Sequence, residues 1–393
     1  MAPIVAAAPA VPARSAVQLR AGSPPAVDAT RLARIDAVVR EAIAAGRLPG
    51  AVVLVAHRGR TVYRKAFGFR AVRPVREPMT VDTIFDLASL TKAIATAPSV
   101  MALVEDGAVR LRDPVARHLP GFERHDKEAV TVEQLLTHTS GLRAGLPLEE
   151  EFEGAAEALR RVLAERLAAP SGATFIYSDL NFVLLGEIVR RVSGQALDVF
   201  AAERLFAPLG MRDTTFRPGA DQRARIAPTE ACTPLGWPCG GPGAVMLRGT
   251  VHDPTARRMG GAAGHAGLFG TADDLARFGA MLLAGGRSAS GAAVLSPLTI
   301  SRMTRPSTPA GLRDVRGLGW DIDSRYSSNR GDLFSPRSFG HTGFTGASIW
   351  IDPETDTVVV FLSNRVHPDG GGDVVRLRGV VATLAAAAVS VAP

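Results

Sequence analysis

Residues 347–362 read ASIWIDPETDTVVVFL. Two runs rich in β-branched and aromatic residues, 347–351 and 357–362, flank Asp352-Pro353-Glu354-Thr355-Asp356, a cluster of turn-forming residues. The spacing predicts two adjacent antiparallel strands. The other end of the chain repeats the pattern: 51–56 and 61–69 are strand-like and joined by His57-Arg58-Gly59-Arg60, which predicts a hairpin. A helix is predicted over 28–46, with Asp28 or Thr30 as its cap, Leu32, Ile35, Val38, Val39 and Ile43 on one face, and Gly46 as its stop. A second helix is predicted over 373–390. Hairpins at both ends favour one mostly antiparallel sheet built from both termini and flanked by helices, rather than a doubly wound parallel sheet. The fold class expected is therefore α+β, an α/β sandwich with a helical subdomain.

Between the ends, helical patterns cover 90–105, 131–138, 152–168, 180–193, 197–205 and 271–284, and 206–270 reads as long Gly-, Pro- and Arg-rich loops. The expected division is a leader over 1–27, a sheet domain from 28–95 and 296–393, and a mainly helical domain over 96–295. The first 26 residues are rich in Ala and Pro, and Ala13-Arg14-Ser15-Ala16 resembles an export cleavage site, but there is no basic start. A signal remnant and a disordered leader both fit. An exported location, periplasmic or secreted, is favoured slightly over a cytoplasmic one.

The 393 residues are 46% hydrophobic, enough for a sizeable core, and no apolar run is long enough to span a membrane. The net charge of +7 comes from scattered arginines interleaved with acids, which argues against nucleic-acid binding. Only Lys65, Lys92 and Lys127 are lysines. Cys232 and Cys239 lack a nearby histidine partner and make a poor zinc site; a local disulfide and two free thiols both remain open. His252-Asp253 has no metal-site spacing, so neither metal nor cofactor is expected.

Three segments carry chemistry. In Phe85-Asp86-Leu87-Ala88-Ser89-Leu90-Thr91-Lys92, Ser89 begins a predicted helix and Lys92 follows one turn later on the same face. A serine hydroxyl needs a proton acceptor to become a nucleophile, and a desolvated lysine can serve. In Phe175-Ile176-Tyr177-Ser178-Asp179-Leu180-Asn181, a phenol precedes an apolar helix, with Ser178 or Asp179 as its cap. Phe339-Gly340-His341-Thr342-Gly343-Phe344-Thr345-Gly346 leads into the strand at 347, and its glycines would let a substrate approach the backbone closely. There is no Gly-x-Ser-x-Gly elbow, which counts against an α/β-hydrolase triad.

Together the three segments resemble the penicillin-recognising serine hydrolases, which include class C β-lactamases, serine D-alanyl-D-alanine carboxypeptidases and β-lactamase-like esterases. Their signatures are Ser-x-x-Lys, Tyr-x-Asn and Lys-Thr-Gly or His-Thr-Gly, and the order here is the same. Residues 135–142 (LLTHTSGL) and the stretch from Gly260 (GGAAGHAGLFGTADDLARF) share the likeness, which spans roughly 30–390. The resemblance implies a DD-peptidase/β-lactamase-like fold. It implies Ser89 as the acylated nucleophile, Lys92 as base or holder of the proton network, and Tyr177 as proton carrier to the leaving group. It further implies an oxyanion hole from the N–H groups of Ser89 and Phe344, with His341, Thr342 and Gly343 orienting substrate. His138 and His265 are expected to brace loops.

Two departures set the functional expectation. Asp179 stands where the family has Asn, cannot donate unless protonated, and would repel an anionic β-lactam while holding Lys92 charged. His341 stands for Lys and is a weaker cation at neutral pH. Asn181, two residues along the helix, would face elsewhere. The expected function is a β-lactamase-like carboxylesterase working through acyl-Ser89 on a small ester, amide or peptide. A D-alanyl-D-alanine carboxypeptidase or weak β-lactamase is the alternative, and a non-catalytic binding or sensory domain a second one. Oligomeric state is not legible.

Overall fold

The computed structural model describes residues 27–389, so the leader expected over 1–27 lies almost wholly outside the described residues. The termini do meet in one sheet. Its strands are β1 (Gly50–His57), β2 (Arg60–Ala71), β3 (Glu77–Pro78), β4 (Val315–Arg316), β5 (Asp321–Asp323), β6 (Phe339–Thr342), β7 (Ser348–Asp352) and β8 (Thr357–Ser363). The order across the sheet is β3-β2-β1-β8-β7-β6-β5-β4, with every pairing antiparallel. β1 and β8, from opposite ends of the chain, are central neighbours, with Val53 opposite Phe361.

Both faces of this sheet are covered, and the side-chain period of two sorts the residues between them. Ala51, Val53, Val55, Val359 and Phe361 join a core with Leu32, Ile35 and Val39 of α1 (Ala29–Ala44) and with Val381 and Ala385 of the C-terminal helix Val375–Ala388. Val52, Leu54, Val358, Val360 and Ile349 face a larger core shared with the helical part. Because β1 is buried on both sides, its sequence AVVLVA is a continuous apolar run rather than an alternation. Asp28 caps α1, its carboxylate accepting the Arg31 N–H at 3.0 Å.

The large core is continuous from the sheet into α2 (Ala97–Glu105), α3 (Asp179–Ser193) and α4 (Ala272–Leu283). α4 packs directly on β1 and β8, although the sequence division places it with the helical part. Gly279 permits the approach: a Cβ there would lie 2.8 Å from Val358 Cγ1. Among the elements that escape the sequence pattern are the helices Pro254–Arg258 and Pro297–Thr304. Their starts are marked by Asp253 and Ser296, whose side chains accept the third helical N–H. The Phe339–Thr342 segment is a strand of its own, paired with β7, rather than the entrance to it. Cys232 and Cys239 are bonded. Among the described residues no helix is long and apolar enough to cross a membrane.

Candidate active site

Ser89 lies between a short ladder and a helix. Phe85–Asp86 pairs with Phe269–Gly270, and Lys92–Thr96 forms a π-helical turn that runs into α2. Ala88, immediately before Ser89, has φ 47°, a left-handed conformation that a residue with a Cβ rarely adopts. The Ala88 N–H donates to Asp86 Oδ1 at 2.9 Å, and the Thr91 hydroxyl donates to the Ala88 carbonyl at 2.7 Å. These bonds hold the strained turn that presents Ser89. π-turns of this kind are frequent at functional sites.

Lys92 is fully buried and points back at Ser89. Its ammonium donates to Ser89 Oγ at 3.1 Å and to the His265 carbonyl at 2.9 Å, and pairs with Asp179 Oδ1 at 2.7 Å. The Lys92 ammonium thus makes a close ion pair with Asp179. It sits 5.0 Å from the Tyr177 ring centroid. Burial pulls the Lys92 ammonium toward neutrality, but Asp179 and Tyr177 oppose it, and the net shift is upward. The sequence allowed Lys92 either a basic or a network-holding part; the geometry keeps it charged.

The His-Thr-Gly segment changes meaning more. His341 is buried, its Nδ1 donates to the Thr342 carbonyl at 2.8 Å, and its Nε2 has no partner. Burial, then Arg316 and Lys92, push it well below the ordinary imidazole value, so it is neutral at pH 7 and supplies no cation. The positive charge comes instead from Arg316, which the sequence reading passed over. This guanidinium is fully buried, touches Asp321 only at 3.4 Å through Nη1, and leaves Nε and Nη2 without partners. It lies 5.9 Å from the Tyr177 ring centroid. Gly343 lines the cavity beside Ser89, and its lack of a side chain also serves packing, since a Cβ there would meet the Leu87 carbonyl at 2.5 Å.

The N–H groups of Ser89 and Phe344 have no acceptor among the described residues, as an oxyanion hole requires. His138 braces, as expected: its Nδ1 accepts the Ser178 N–H at 3.0 Å while its ring lies 4.4 Å from that of Tyr177. Asn181 faces away and accepts the Ser140 hydroxyl at 2.6 Å. Ser178 flanks α3 without a capping bond and donates to the Arg143 carbonyl instead. His265 is bonded through Nε2 to Asp253 at 2.9 Å, so its ring braces while its carbonyl reaches Lys92. Asp179, Asp253 and His265 offer ligand atoms within 4.8 Å of one another. Within this trio Asp179 is paired with the Lys92 ammonium at 2.7 Å, and the His265 ring with Asp253 at 2.9 Å.

Ser89 and Phe344 border two cavities. One, of about 200 Å³, is walled by Leu146, Leu148, Leu180, Val183 and Trp237. The other, of about 400 Å³, is lined by Tyr177, Arg316, Tyr326, His341, Arg365 and Arg378. The nucleophile thus borders a largely apolar chamber, edged by Asp179 and Asp253, and a second one in which three arginines outnumber Asp321 and Asp373.

The beta-lactamase family model matches residues 35–382. A putative D-alanyl-D-alanine carboxypeptidase of Escherichia coli O157:H7 is 30% identical over 86% of this chain and 83% of its own. An N-acetylmuramyl-L-alanine amidase of Bacillus subtilis (strain 168) is 31% identical over 86% and 81%. Among solved structures, EstCE1, a hydrolase with promiscuous acyltransferase activity, superposes with a TM-score of 0.72 at 24% identity, covering 90% of this chain and 99% of that one. The chain belongs to the beta-lactamase family and is a serine hydrolase of that fold.

Proposed function

We propose that the enzyme hydrolyses acyl compounds whose leaving group carries a carboxylate, with D-alanyl peptides the first class to test. The observation that carries this reading is Arg316: a buried guanidinium with two unpartnered nitrogens in the same cavity as Ser89. A planar fork of donors matches a carboxylate, and a buried donor left unpaired costs about 1–3 kcal/mol until a ligand satisfies it. The pairing of Asp179 with Lys92 at 2.7 Å would weaken its repulsion of an anionic substrate. In this reading Ser89 Oγ attacks the acyl carbon and the N–H groups of Ser89 and Phe344 receive the oxyanion. Tyr177 relays the serine proton to the leaving nitrogen or oxygen as the acyl–leaving-group bond breaks. Water repeats the exchange on acyl-Ser89, releasing the acid. Lys92 remains a positioning cation.

The test compares D-alanine release from an acyl-D-alanyl-D-alanine with release from its C-terminal amide. Masking the carboxylate should lower kcat/KM by roughly 10- to 100-fold, and Arg316→Gln should abolish the difference. Equal rates for both substrates in the wild-type protein would remove the carboxylate reading. A second reading, a carboxylesterase, is favoured by the apolar chamber beside Ser89; turnover of short neutral esters without a carboxylate preference would support it. The Cys232–Cys239 bond supports an exported location, since disulfides persist in oxidising compartments.

A further inference from the structure

Besides Arg316, two further arginines, Arg365 and Arg378, line the cationic cavity. Arg365 follows β8 in the chain, and Arg378 projects from the C-terminal helix. Arg378 is 7% exposed, donates through Nη1 to the Ala347 carbonyl at 3.1 Å, and has no partner for Nε. Arg365 donates through Nη1 to the Gly372 carbonyl at 3.0 Å and lies 4.6 Å over the Phe344 ring. Among the described residues neither has a carboxylate oxygen within 4.0 Å. Asp373 also lines the cavity, but one of its oxygens is taken by the Val375 N–H at 2.8 Å. Glu230, the other acid facing Arg365, is bonded to His252 at 2.6 Å. Burial, then the neighbouring Arg365, push Arg378 down to about 10, and Asp373 only partly opposes them.

The pair is spatially separate from Arg316. Arg316 lies on β4 at the sheet edge, and Arg365 follows β8, four strand positions away. At ordinary strand spacing that is on the order of 19 Å between backbones. The two cationic groups therefore reach one cavity from different parts of the sheet.

We propose that Arg365 and Arg378 form a second anion subsite, so that the preferred leaving group is a dicarboxylate, with one carboxylate on Arg316 and the other on this pair. The inference rests on the Arg316 reading of the site. It is tested by inhibition of neutral p-nitrophenyl ester hydrolysis with N-acetylglycine, which has one carboxylate, and with N-acetylaspartate and N-acetylglutamate, which have two. In the wild-type protein a dicarboxylate should inhibit competitively and roughly tenfold or more tightly than the monocarboxylate. In Arg365→Gln and Arg378→Gln that advantage should shrink to about threefold or less while the monocarboxylate constant holds. Arg365→Gln keeps the result interpretable if loss of the Ala347 bond unfolds the Arg378 variant, and thermal melts report which variants are folded. Equal inhibition by mono- and dicarboxylates, or an advantage that survives in folded variants, would overturn the subsite. Phosphate binding that does not compete with the ester would also overturn the assignment, by making the pair a separate anion site. Inhibition by none of the acids would instead strike at the Arg316 reading beneath it.

Discussion

At the scale of single residues, the site depends on which charges are paired. Asp179 decides the state of Lys92: burial alone would favour the neutral amine, and the carboxylate at 2.7 Å reverses that. Because the folded Lys92 is held above its ordinary value, the stability it contributes is fully present below about 10.5 and is lost only as pH rises through the folded value. Asp179→Asn should therefore destabilise the protein at neutral pH. About a third of the Asp179 side chain is exposed, so solvent screening reduces the cost to about 1–3 kcal/mol. Urea denaturation at pH 6 and pH 9 should return the same penalty, and a penalty near zero would show that the pair carries little. Ser89, Lys92, Tyr177 and the His-Thr-Gly turn could be picked out in the sequence because three short segments resemble a family's signatures in the same order; only the Ser89–Lys92 spacing is local geometry. The role of His341 was not, because whether an imidazole is charged depends on how deeply the tertiary fold buries it. Arg316 was illegible for a similar reason. Val315-Arg316-Gly317 has no motif, and nothing local distinguishes that arginine from the many scattered ones.

At the scale of elements, both hairpins could be read from turn chemistry and β-branched runs, with bounds off by a residue or two. The strands Val315–Arg316 and Asp321–Asp323 could not, since two or three residues carry no period. Residues 206–270 are largely irregular, as their composition suggested, apart from short elements such as the helix Pro254–Arg258, but the bonds that cross-link them were hidden. The disulfide ties Cys232 to Cys239, Arg257 donates to the Pro234 and Gly236 carbonyls at 3.0 Å, and Arg258 donates to the Leu235 carbonyl at 2.7 Å. Trp237 is thereby fixed as a wall of the apolar chamber, edge-on to His252 at 6.0 Å. Trp237→Ala should shift ester preference toward longer acyl chains. The ratio of kcat/KM for octanoyl over acetyl esters should rise by roughly tenfold, a typical reward for each extra buried methylene or two. An unchanged chain-length profile would place the acyl group elsewhere.

At the scale of the whole molecule, a sheet drawn from both termini clamps the helical part, and the site forms where strand β6, the Ser89 turn and α3 meet. This arrangement buries two imidazoles next to cations. His138 and His341 are both pushed well below the ordinary value, first by burial and then by Arg316 and Lys92. A depressed folded value means that the unfolded chain binds the extra protons. The stability these residues contribute is therefore present above about 6.5 and is lost as pH falls below it. His341→Gln should remove part of that loss, so the gap in Tm between variant and wild type should narrow from pH 8 to pH 5; a constant gap would contradict it. The same variant should keep ester turnover within about tenfold, because a neutral residue replaces a neutral one. The central claim, however, is the acyl-enzyme. Intact-mass spectrometry of protein quenched during turnover of a slowly released acyl substrate tests it most directly. The account predicts a mass gain of one acyl group, mapped to the peptide containing Ser89 and absent from Ser89→Ala along with turnover. Continued hydrolysis by Ser89→Ala, or an acyl group mapped to another residue, would contradict it.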